Sequence, residues 1–195
     1  MPEDIGLKWD KKYRSKKDLS GKPANVLTTN LHILPANGIA LDLACGTGAN
    51  AIMLAEYGLK TVAWDVSKVA LTYLNNISKS AKLNITTEYR DVTISPPEPG
   101  SFDVIVVAHF LDRSIVRHLI SALKLNGLLF YQTFTKARTK KPSPDNPVYK
   151  LDENELLRLF NNLTIRYYRE EGQSDTDDKY QGLAMLVGQK SYNNN

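Results

Sequence analysis

Short apolar runs alternate with longer amphipathic segments along most of the chain. The first run, residues 39–43, leads into a turn with two glycines and then into a helical pattern at 51–55. The later apolar runs lie at 61–64, 85–90, 102–107, 128–134, 163–169 and 182–189. Apolar strands separated by amphipathic helices predict βαβ units and therefore a mostly parallel sheet.

The pattern predicts an α/β fold with a seven-stranded, mostly parallel sheet and helices on both faces. The connection before the final run, around Asp175–Lys179, is short and charged, which suits a hairpin better than a crossover. We therefore predict that the last strand, Gly182–Gln189, is antiparallel. We expect one domain over 1–195, with a helical lid segment at 1–35, the core at 36–190 and a frayed tail at 191–195.

Composition narrows the functional classes. The chain has 195 residues, and no apolar run approaches the ~20 residues that a membrane span requires. Its first residues are acidic where a secretion signal would be basic and then apolar, so we expect a cytoplasmic protein without membrane contact. One cysteine, Cys45, excludes an intramolecular disulfide, and three scattered histidines exclude a zinc cluster of Cys and His. We expect no metal.

Positive charge is concentrated in two places. The chain has 25 Lys and Arg against 21 Asp and Glu, a net charge of +4, with the excess at residues 8–17 and 136–141. Such clusters attract phosphates or an anionic substrate, although solvated surfaces are also often basic. The second cluster lies in a proline-rich connection, Lys136–Pro147, whose length is typical of binding loops.

The turn after the first strand has the composition of a ligand-binding turn. Gly46 and Gly48 allow a tight turn and a close approach to a ligand, and the following helix directs its first N–H groups at the same place. Ala51 stands where the dinucleotide fingerprint has its third glycine, which disfavours a dehydrogenase. Asp42, inside the apolar strand, favours a ligand with an ammonium or sulfonium group over a pyrophosphate.

Acidic residues also end the next two strands. Asp65 follows the second strand, close to the ~20-residue spacing of a carboxylate that binds ribose hydroxyls. Asp91 follows the third strand, where it could accept a hydrogen bond from an exocyclic amine, although strand-end aspartates are also common as turn caps. The carboxyl ends of parallel strands share one edge, so these acids are predicted to lie together.

These residues resemble the motifs of class I S-adenosylmethionine-dependent methyltransferases, most closely the tellurite-resistance-like small methyltransferases. Asp65 matches the ribose acid of the family, and Asp91-Val92 matches its adenine-side acid. The resemblance implies a Rossmann-like fold, S-adenosylmethionine as cofactor and S-adenosylhomocysteine as product. The cofactor-binding residues that it implies are Trp9, Tyr13, Arg14, Asp42, Ala44, Gly46, Gly48, Asp65, Val66, Asp91, Val92 and Ala108.

Two departures from the family pattern bear on function. The turn before the fifth strand reads Lys124-Leu125-Asn126-Gly127 where the family has Lys-Pro-Gly-Gly, and Asn tolerates the same left-handed conformation. The Asn-Pro-Pro-Tyr motif of amino-methylating nucleic-acid enzymes is absent after the fourth strand, where residues 108–111 read Ala-His-Phe-Leu. This counts against methylation of DNA adenine or protein glutamine.

The leading hypothesis is methyl transfer to a small molecule, such as a thiol or a chalcogen oxyanion. A soft anionic nucleophile needs no general base, whereas a neutral hydroxyl or amine would benefit from one. His109, at the end of the fourth strand, is the candidate base by position, and a histidine merely satisfied at a strand end is the alternative. Two other functions stay open, an RNA methyltransferase suggested by the basic clusters and a non-catalytic cofactor-binding module.

Overall fold

The protein is described by a computed structural model that covers residues 4–171 and 180–192. Within these ranges one seven-stranded sheet has the order β3-β2-β1-β4-β5-β7-β6. Its strands are β1 (Ile39–Leu43), β2 (Lys60–Asp65), β3 (Ile85–Tyr89), β4 (Phe102–Ala108), β5 (Leu123–Phe134), β6 (Thr164–Glu170) and β7 (Leu183–Gln189).

Helices fill most of the connections between the strands. They are α1 (Ile5–Arg14), α2 (Asn25–Thr29), α3 (Ala49–Glu56), α4 (Lys68–Ser80), α5 (Val116–Ala122) and α6 (Glu155–Leu159), with short 3₁₀ turns at 31–33, 113–115 and 147–149. None of the helices in the described part of the chain has the length and apolar character needed to cross a membrane.

The pairing confirms the predicted sheet. Strands β1 to β5 pair in parallel, and β7 is antiparallel to both β5 and β6. From β1 the chain continues to β2 and β3 on one side of the sheet and then crosses to β4 on the other side, so the strand order reverses between β1 and β4. In open α/β sheets, ligands bind at the carboxyl ends of the strands at such a switch point. The charged turn predicted around 175–179 lies outside the described residues, as do 193–195 of the predicted tail.

Both faces of the sheet are buried, which explains the continuous apolar sequence of β4. Val104 and Val106 pack on one side with residues of α2 and α3, while Ile105 and Val107 pack on the other side with α5 and α6. All four side chains are excluded from solvent. The expected helices on both faces are therefore confirmed, and the open ends of the central strands are the accessible part of the sheet.

Local signals placed several boundaries correctly. Ser67 caps α4 by accepting a hydrogen bond from the Ala70 amide (3.2 Å), and Gly58 follows α3 with a left-handed φ of 110°. Asn126 is left-handed (φ 63°), as its place in the predicted turn at 124–127 implies. The strand itself begins at Leu123 and not at residue 128, because α5 runs directly into it without a loop.

Asp152 and Glu155, three positions apart before an apolar segment, have the pattern of a capping box and predict that Asp152 caps α6, but this box is only half formed. Glu155 accepts a hydrogen bond from the Asp152 amide (2.8 Å), as the pattern predicts. The Asp152 carboxylate instead pairs with Lys136 Nζ (2.7 Å), and the helix begins after Asn154, which is left-handed. The prediction that Asp152 caps this helix is therefore wrong, because Lys136 at the start of the connection Lys136–Pro147, here called the basic loop, competes for its side chain.

Candidate functional site

The glycine turn lies between β1 and α3 at the switch point. Gly46 and Gly48 both have positive φ (55° and 82°), which disfavours any residue with a side chain. Gly48 is also enclosed, since a Cβ there would lie 2.4 Å from Leu74 Cδ1 on α4. The turn is thus held against α4 with its backbone at the carboxyl edge of the sheet.

Asp65 connects this turn to the end of β2. Its carboxylate accepts hydrogen bonds from the amides of Gly46 (2.7 Å) and Ser67 (2.8 Å). The side chain is only 8% exposed, and this burial raises the pKa of the carboxyl, while the backbone hydrogen bonds oppose the rise. A carboxylate at the end of β2, beside the glycine turn, is the position predicted for the acid that binds ribose.

Asp42, in β1, stabilises the start of the helix that follows the glycine turn. It is fully buried in β1, where its two oxygens accept hydrogen bonds from the Ala51 amide (3.0 Å) and from Asn50 Nδ2 (3.4 Å). Burial raises the pKa of Asp42 to about 7, against the lowering effect of these hydrogen bonds. The structure therefore uses Asp42 to hold the first turn of α3, and both carboxylate oxygens already have partners within the protein.

Helix α1 lies over this end of the sheet. The hydroxyl of Tyr13 approaches the glycine turn so closely that a Cβ on Gly46 would lie 2.6 Å from it. Asp10 anchors the helix by accepting hydrogen bonds from Ser67 Oγ (2.7 Å) and from the Val69 amide (3.1 Å) at the start of α4. Sequence reasoning missed Asp10, because a polar residue on an amphipathic helix gives no sign of a distant partner.

The other residues expected at the cofactor divide into two groups. Around α1 and the turns, Trp9 lies 6.0 Å from the Tyr13 ring, and Arg14 projects into solvent beside Asp10. The backbone at Ala44 is left-handed (φ 54°), and the Val66 carbonyl faces α1, 2.8 Å from where a Cβ on Gly6 would lie.

Further along the edge, the structure gives two of these residues local roles. Asp91 accepts hydrogen bonds from the amide (2.9 Å) and hydroxyl (2.6 Å) of Thr93, which makes it the cap of a turn. Val92 is buried in the core with Leu43. Ala108 ends β4 and precedes the second part of the site.

A cavity of about 110 Å³ lies at the ends of β4 and β5 and the start of β7. Residues of the basic loop form part of its wall, which agrees with the expectation that residues 136–147 form a binding loop. The lining residues are His109, Phe134, Thr139, Lys141, Pro142, Gln181, Gly182 and Leu183. No group of three or more potential metal ligands occurs in the residues that the structure describes.

His109 is fixed at the mouth of this cavity by its neighbours on β5. It has a left-handed backbone (φ 56°), its amide donates to the Gln132 carbonyl (2.8 Å), and its ring lies 5.1 Å from that of Phe134. The side chain reaches solvent but is closely surrounded, and this partial desolvation lowers the pKa of the imidazole. Sequence reasoning also missed Gln132, although it is a polar residue inside an apolar strand, as Asp42 is.

Arg113 closes the far end of the basic loop. Its guanidinium binds both carboxylate oxygens of Glu155 (2.6 and 2.9 Å) and donates to the carbonyls of Val148 (2.8 Å) and Lys150 (3.1 Å). The loop that borders the cavity therefore ends in a fixed geometry next to α6.

Comparison with known proteins agrees with this geometry. The family described as a methyltransferase domain matches residues 40–127, from β1 to the turn inside β5. This part of the chain is similar to a methyltransferase domain. The matched residues include the glycine turn, Asp42, Asp65, Asp91 and His109, so the resemblance to class I methyltransferases is confirmed on the residues that suggested it.

Individual relatives extend the likeness beyond that range. The chain is 26% identical over 172 residues to the probable S-adenosyl-L-methionine-dependent methyltransferase TehB of Haemophilus influenzae, covering 81% of this chain and 59% of the relative. It is 27% identical over 132 residues to the putative methyltransferase YqeM of Bacillus subtilis, covering 62% of this chain and 52% of the relative. The chain thus spans between half and three fifths of these relatives.

The fold is also that of a solved structure. The crystal structure of TehB from Haemophilus influenzae superimposes with a TM-score of 0.72 at 21% identity, over 94% of this chain and 67% of that chain. The Rossmann-like architecture with an antiparallel last strand is therefore confirmed.

Proposed function

We propose that the chain is an S-adenosylmethionine-dependent methyltransferase that acts on a small molecule with a soft nucleophile, such as a thiol or a chalcogen oxyanion. The observation that carries this proposal is the meeting of Asp65 and the Gly46 amide (2.7 Å) at the switch point, with a separate cavity at the end of β4. One edge of the sheet thus offers a place for the cofactor beside a place for a methyl acceptor.

The residues at the switch point fit S-adenosylmethionine. Asp65 has a carboxylate that could accept hydrogen bonds from ribose hydroxyls, and the left-handed glycines allow the tight turn between β1 and α3 beside it. Asp91 would lie on the adenine side, while Ala44 and Ala108 would flank the methyl-bearing end. When bound, the cofactor supplies a methyl group activated by its sulfonium charge.

The size of the cavity supports a small acceptor. Its volume of about 110 Å³ is well below the roughly 300–1,000 Å³ of sites that enclose drug-sized ligands. Phe134 contributes an apolar wall. Part of the basic charge nearby is paired within the protein, Lys136 with Asp152 (2.7 Å) and Arg113 with Glu155 (2.6 Å), which weakens the case for an RNA surface.

Calorimetry with S-adenosylmethionine, S-adenosylhomocysteine and NAD tests the cofactor, and a panel of thiols, selenite, amines and hydroxyl compounds then tests the acceptor. We expect both sulfur ligands to bind, NAD not to bind, and thiols or oxyanions to be methylated. Binding of NAD in place of the sulfur ligands would overturn the proposal. Tight cofactor binding with no methylated product would leave a cofactor-binding module, and RNA affinity that falls steeply with salt would indicate an RNA substrate.

We also propose that α1, with Trp9, Tyr13 and Arg14, closes over the bound cofactor and excludes water from the methyl group. Hydrogen exchange in residues 5–20 should slow when S-adenosylhomocysteine binds, and deletion of these residues should abolish binding while the remaining domain still unfolds cooperatively. If α1 merely staples the N-terminus to the core, exchange there will not respond to ligand and the truncated protein will unfold or aggregate.

A further inference from the structure

Gln132 is a polar side chain in the most buried part of β5, with only 1% of its surface exposed. Its Oε1 accepts a hydrogen bond from the Val26 amide (3.0 Å) in the first turn of α2. A backbone amide can only donate, so this contact identifies the oxygen of the Gln132 side chain. Its nitrogen must therefore face the other way.

The group on that other side is the ring of His109. Gln132 Nε2 lies 3.3 Å from His109 Nε2. The amide nitrogen carries two hydrogens and accepts none, so the histidine nitrogen that faces it has to offer its lone pair. The proton of the neutral ring then resides on Nδ1, because the tautomer of a histidine is set by the hydrogen bond that its other nitrogen makes.

Further contacts support this arrangement of the ring. The His109 amide donates to the Gln132 carbonyl (2.8 Å), so the same residue on β5 holds both the backbone and the side chain of His109. Phe134, two residues further along β5, lies against the ring with centroids 5.1 Å apart. The left-handed backbone of His109 (φ 56°) also determines the direction in which its side chain leaves the end of β4.

We propose that Gln132 is a positioning residue that holds His109 in the Nδ1–H tautomer, so that His109 meets the methyl acceptor as a hydrogen-bond donor and not as a base. The proposal rests on the proposed function, in that the cavity is taken as the acceptor site. This tautomer favours an acceptor whose nucleophile is already deprotonated when it binds, such as a thiolate or another small anion.

The transfer balances without a base. A lone pair of the anionic acceptor forms the new bond to the methyl carbon, the carbon–sulfur bond breaks, and its electron pair stays on the sulfur. No proton moves, and the charges of the anion and the sulfonium cancel. His109 would hold the acceptor in line through Nδ1–H, which is a matter of orientation.

The tautomer can be measured on the wild-type protein without any ligand. Labelling with ¹⁵N-histidine and a long-range ¹H–¹⁵N correlation spectrum distinguish the two ring nitrogens, and the exposed His32 and His118 provide reference signals in the same sample. We expect a protonated, pyrrole-type Nδ1 and a pyridine-type Nε2 for His109. A pyridine-type Nδ1 with a protonated Nε2 overturns the proposal, whatever the outcome of the cofactor experiments.

Gln132→Glu tests the cause. The carboxylate keeps an acceptor for the Val26 amide but presents an acceptor to His109, so the ring should switch to Nε2–H and stay protonated to higher pH. Unchanged His109 shifts in a folded variant overturn the role of Gln132. If the variant does not fold, the wild-type spectrum still decides the tautomer.

His109→Asn and His109→Gly form a matched pair for the donor role, since both residues tolerate the left-handed backbone. Asn retains an N–H donor near the place of Nδ1, and Gly has none. With ionised thiophenol as acceptor, we expect His109→Asn to exceed His109→Gly by about tenfold in kcat/KM. Equal losses in the two variants would overturn the donor role, while a failure of cofactor binding in the wild type would overturn the proposed function instead.

Discussion

The two ends of the candidate site are built in different ways. At the cofactor end, the glycine turn and its two buried carboxylates, Asp42 and Asp65, come from one stretch, 42–67, and most of their contacts use backbone amides. At the acceptor end, the lining residues are spread over positions 109–183, and their side chains form the wall. We expect the first construction to bind a ligand through the shape of the main chain, and the second to determine the chemistry through a few side chains.

The two ends also differ in how deeply their residues are buried. Gly46, Gly48 and Asp65 are buried between α1, α3 and α4, so a change there disturbs packing as well as binding. His109 and the basic loop reach solvent, and the loop can be altered with less effect on the core. The comparison therefore predicts large, shared effects of mutations at the cofactor end and small, separable effects at the acceptor end.

Gly48→Ala should give the largest effect. A Cβ there meets Leu74 Cδ1 at 2.4 Å and the backbone is left-handed, so about 1–2 kcal/mol of strain adds to about 1–3 kcal/mol of overpacking. Gly100→Ala is the matched control, because its φ is also positive (63°) but nothing lies within 4 Å of the new atom. Denaturant unfolding should show a much larger loss for Gly48→Ala, and equal losses would contradict the enclosed turn.

Asp65→Ala should weaken S-adenosylmethionine binding about ten- to a hundredfold in calorimetry, through loss of about 1.5–3 kcal/mol of charge-assisted hydrogen bonding. Its loss also removes the acceptor of the Gly46 and Ser67 amides, so the free energy of unfolding should fall as well. Asp103→Ala is the control, because Asp103 accepts from the Ile39 amide (2.7 Å) at the opposite edge of the sheet. The control should lose stability but keep its affinity for the cofactor.

Asp42 should give a stability that falls with rising pH. Its folded pKa of about 7 lies above its ordinary value of 3.8, so between these values the folded state holds a proton that the unfolded state has released. Its contribution is thus complete below pH 3.8 and is lost as the pH rises toward 7, by at most about 1.4 kcal/mol per pH unit.

The difference between wild type and Asp42→Asn isolates this slope from other groups. Asp103 and Glu155 have lowered pKa values and contribute with the opposite sign. For Asp103, desolvation raises the pKa, but the hydrogen bonds from Lys124 and the Ile39 amide together with the charge of Lys124 outweigh it. For Glu155, the hydrogen bond from Arg113 is the largest effect. Urea unfolding of both proteins across the range should show a difference that changes with pH. A constant difference would show that Asp42 does not change its protonation on folding.

Phe134→Leu should have the smallest effect and should confine it to the acceptor end. Loss of the aromatic contact with the His109 ring removes about 0.5–1.5 kcal/mol. We expect KM for the acceptor to rise severalfold and the calorimetric affinity for S-adenosylhomocysteine to stay the same. An equal loss in cofactor affinity would show that the two ends are not separable.

How much the sequence predicts follows the same division. The ends of β1 and β2, Ser67 as a cap and the left-handed Asn126 follow from local chemistry, because each depends on neighbours within a few residues. The motif residues from Asp42 to Asp65 predict where a cofactor would bind, and the structure brings the glycine turn and Asp65 together. The strand order and the contact of Asp10 with Ser67 do not follow from local chemistry, because they depend on pairing between distant segments.

Two kinds of polar position were visible in the sequence, but their partners were not. Gln132 interrupts an apolar strand just as Asp42 does, but only the structure reveals that its partners are Val26 and His109. Asp91 followed the strand-end pattern and was found to cap its own turn through Thr93. A strand-end acid can therefore serve the ligand or the chain, and local sequence does not distinguish these uses.

The way in which the basic loop is closed makes it an exchangeable module. Thr135 and Leu151 form a bridge at its base, where the Lys136 amide donates to the Leu151 carbonyl (2.9 Å) and the Leu151 amide donates to the Phe134 carbonyl (2.9 Å). With its ends this close, residues 136–150 can be replaced by loops of other length at an entropic cost that grows only slowly with length. A library grafted between these two residues could redirect the acceptor preference of the protein while β1, β2 and the glycine turn remain as they are.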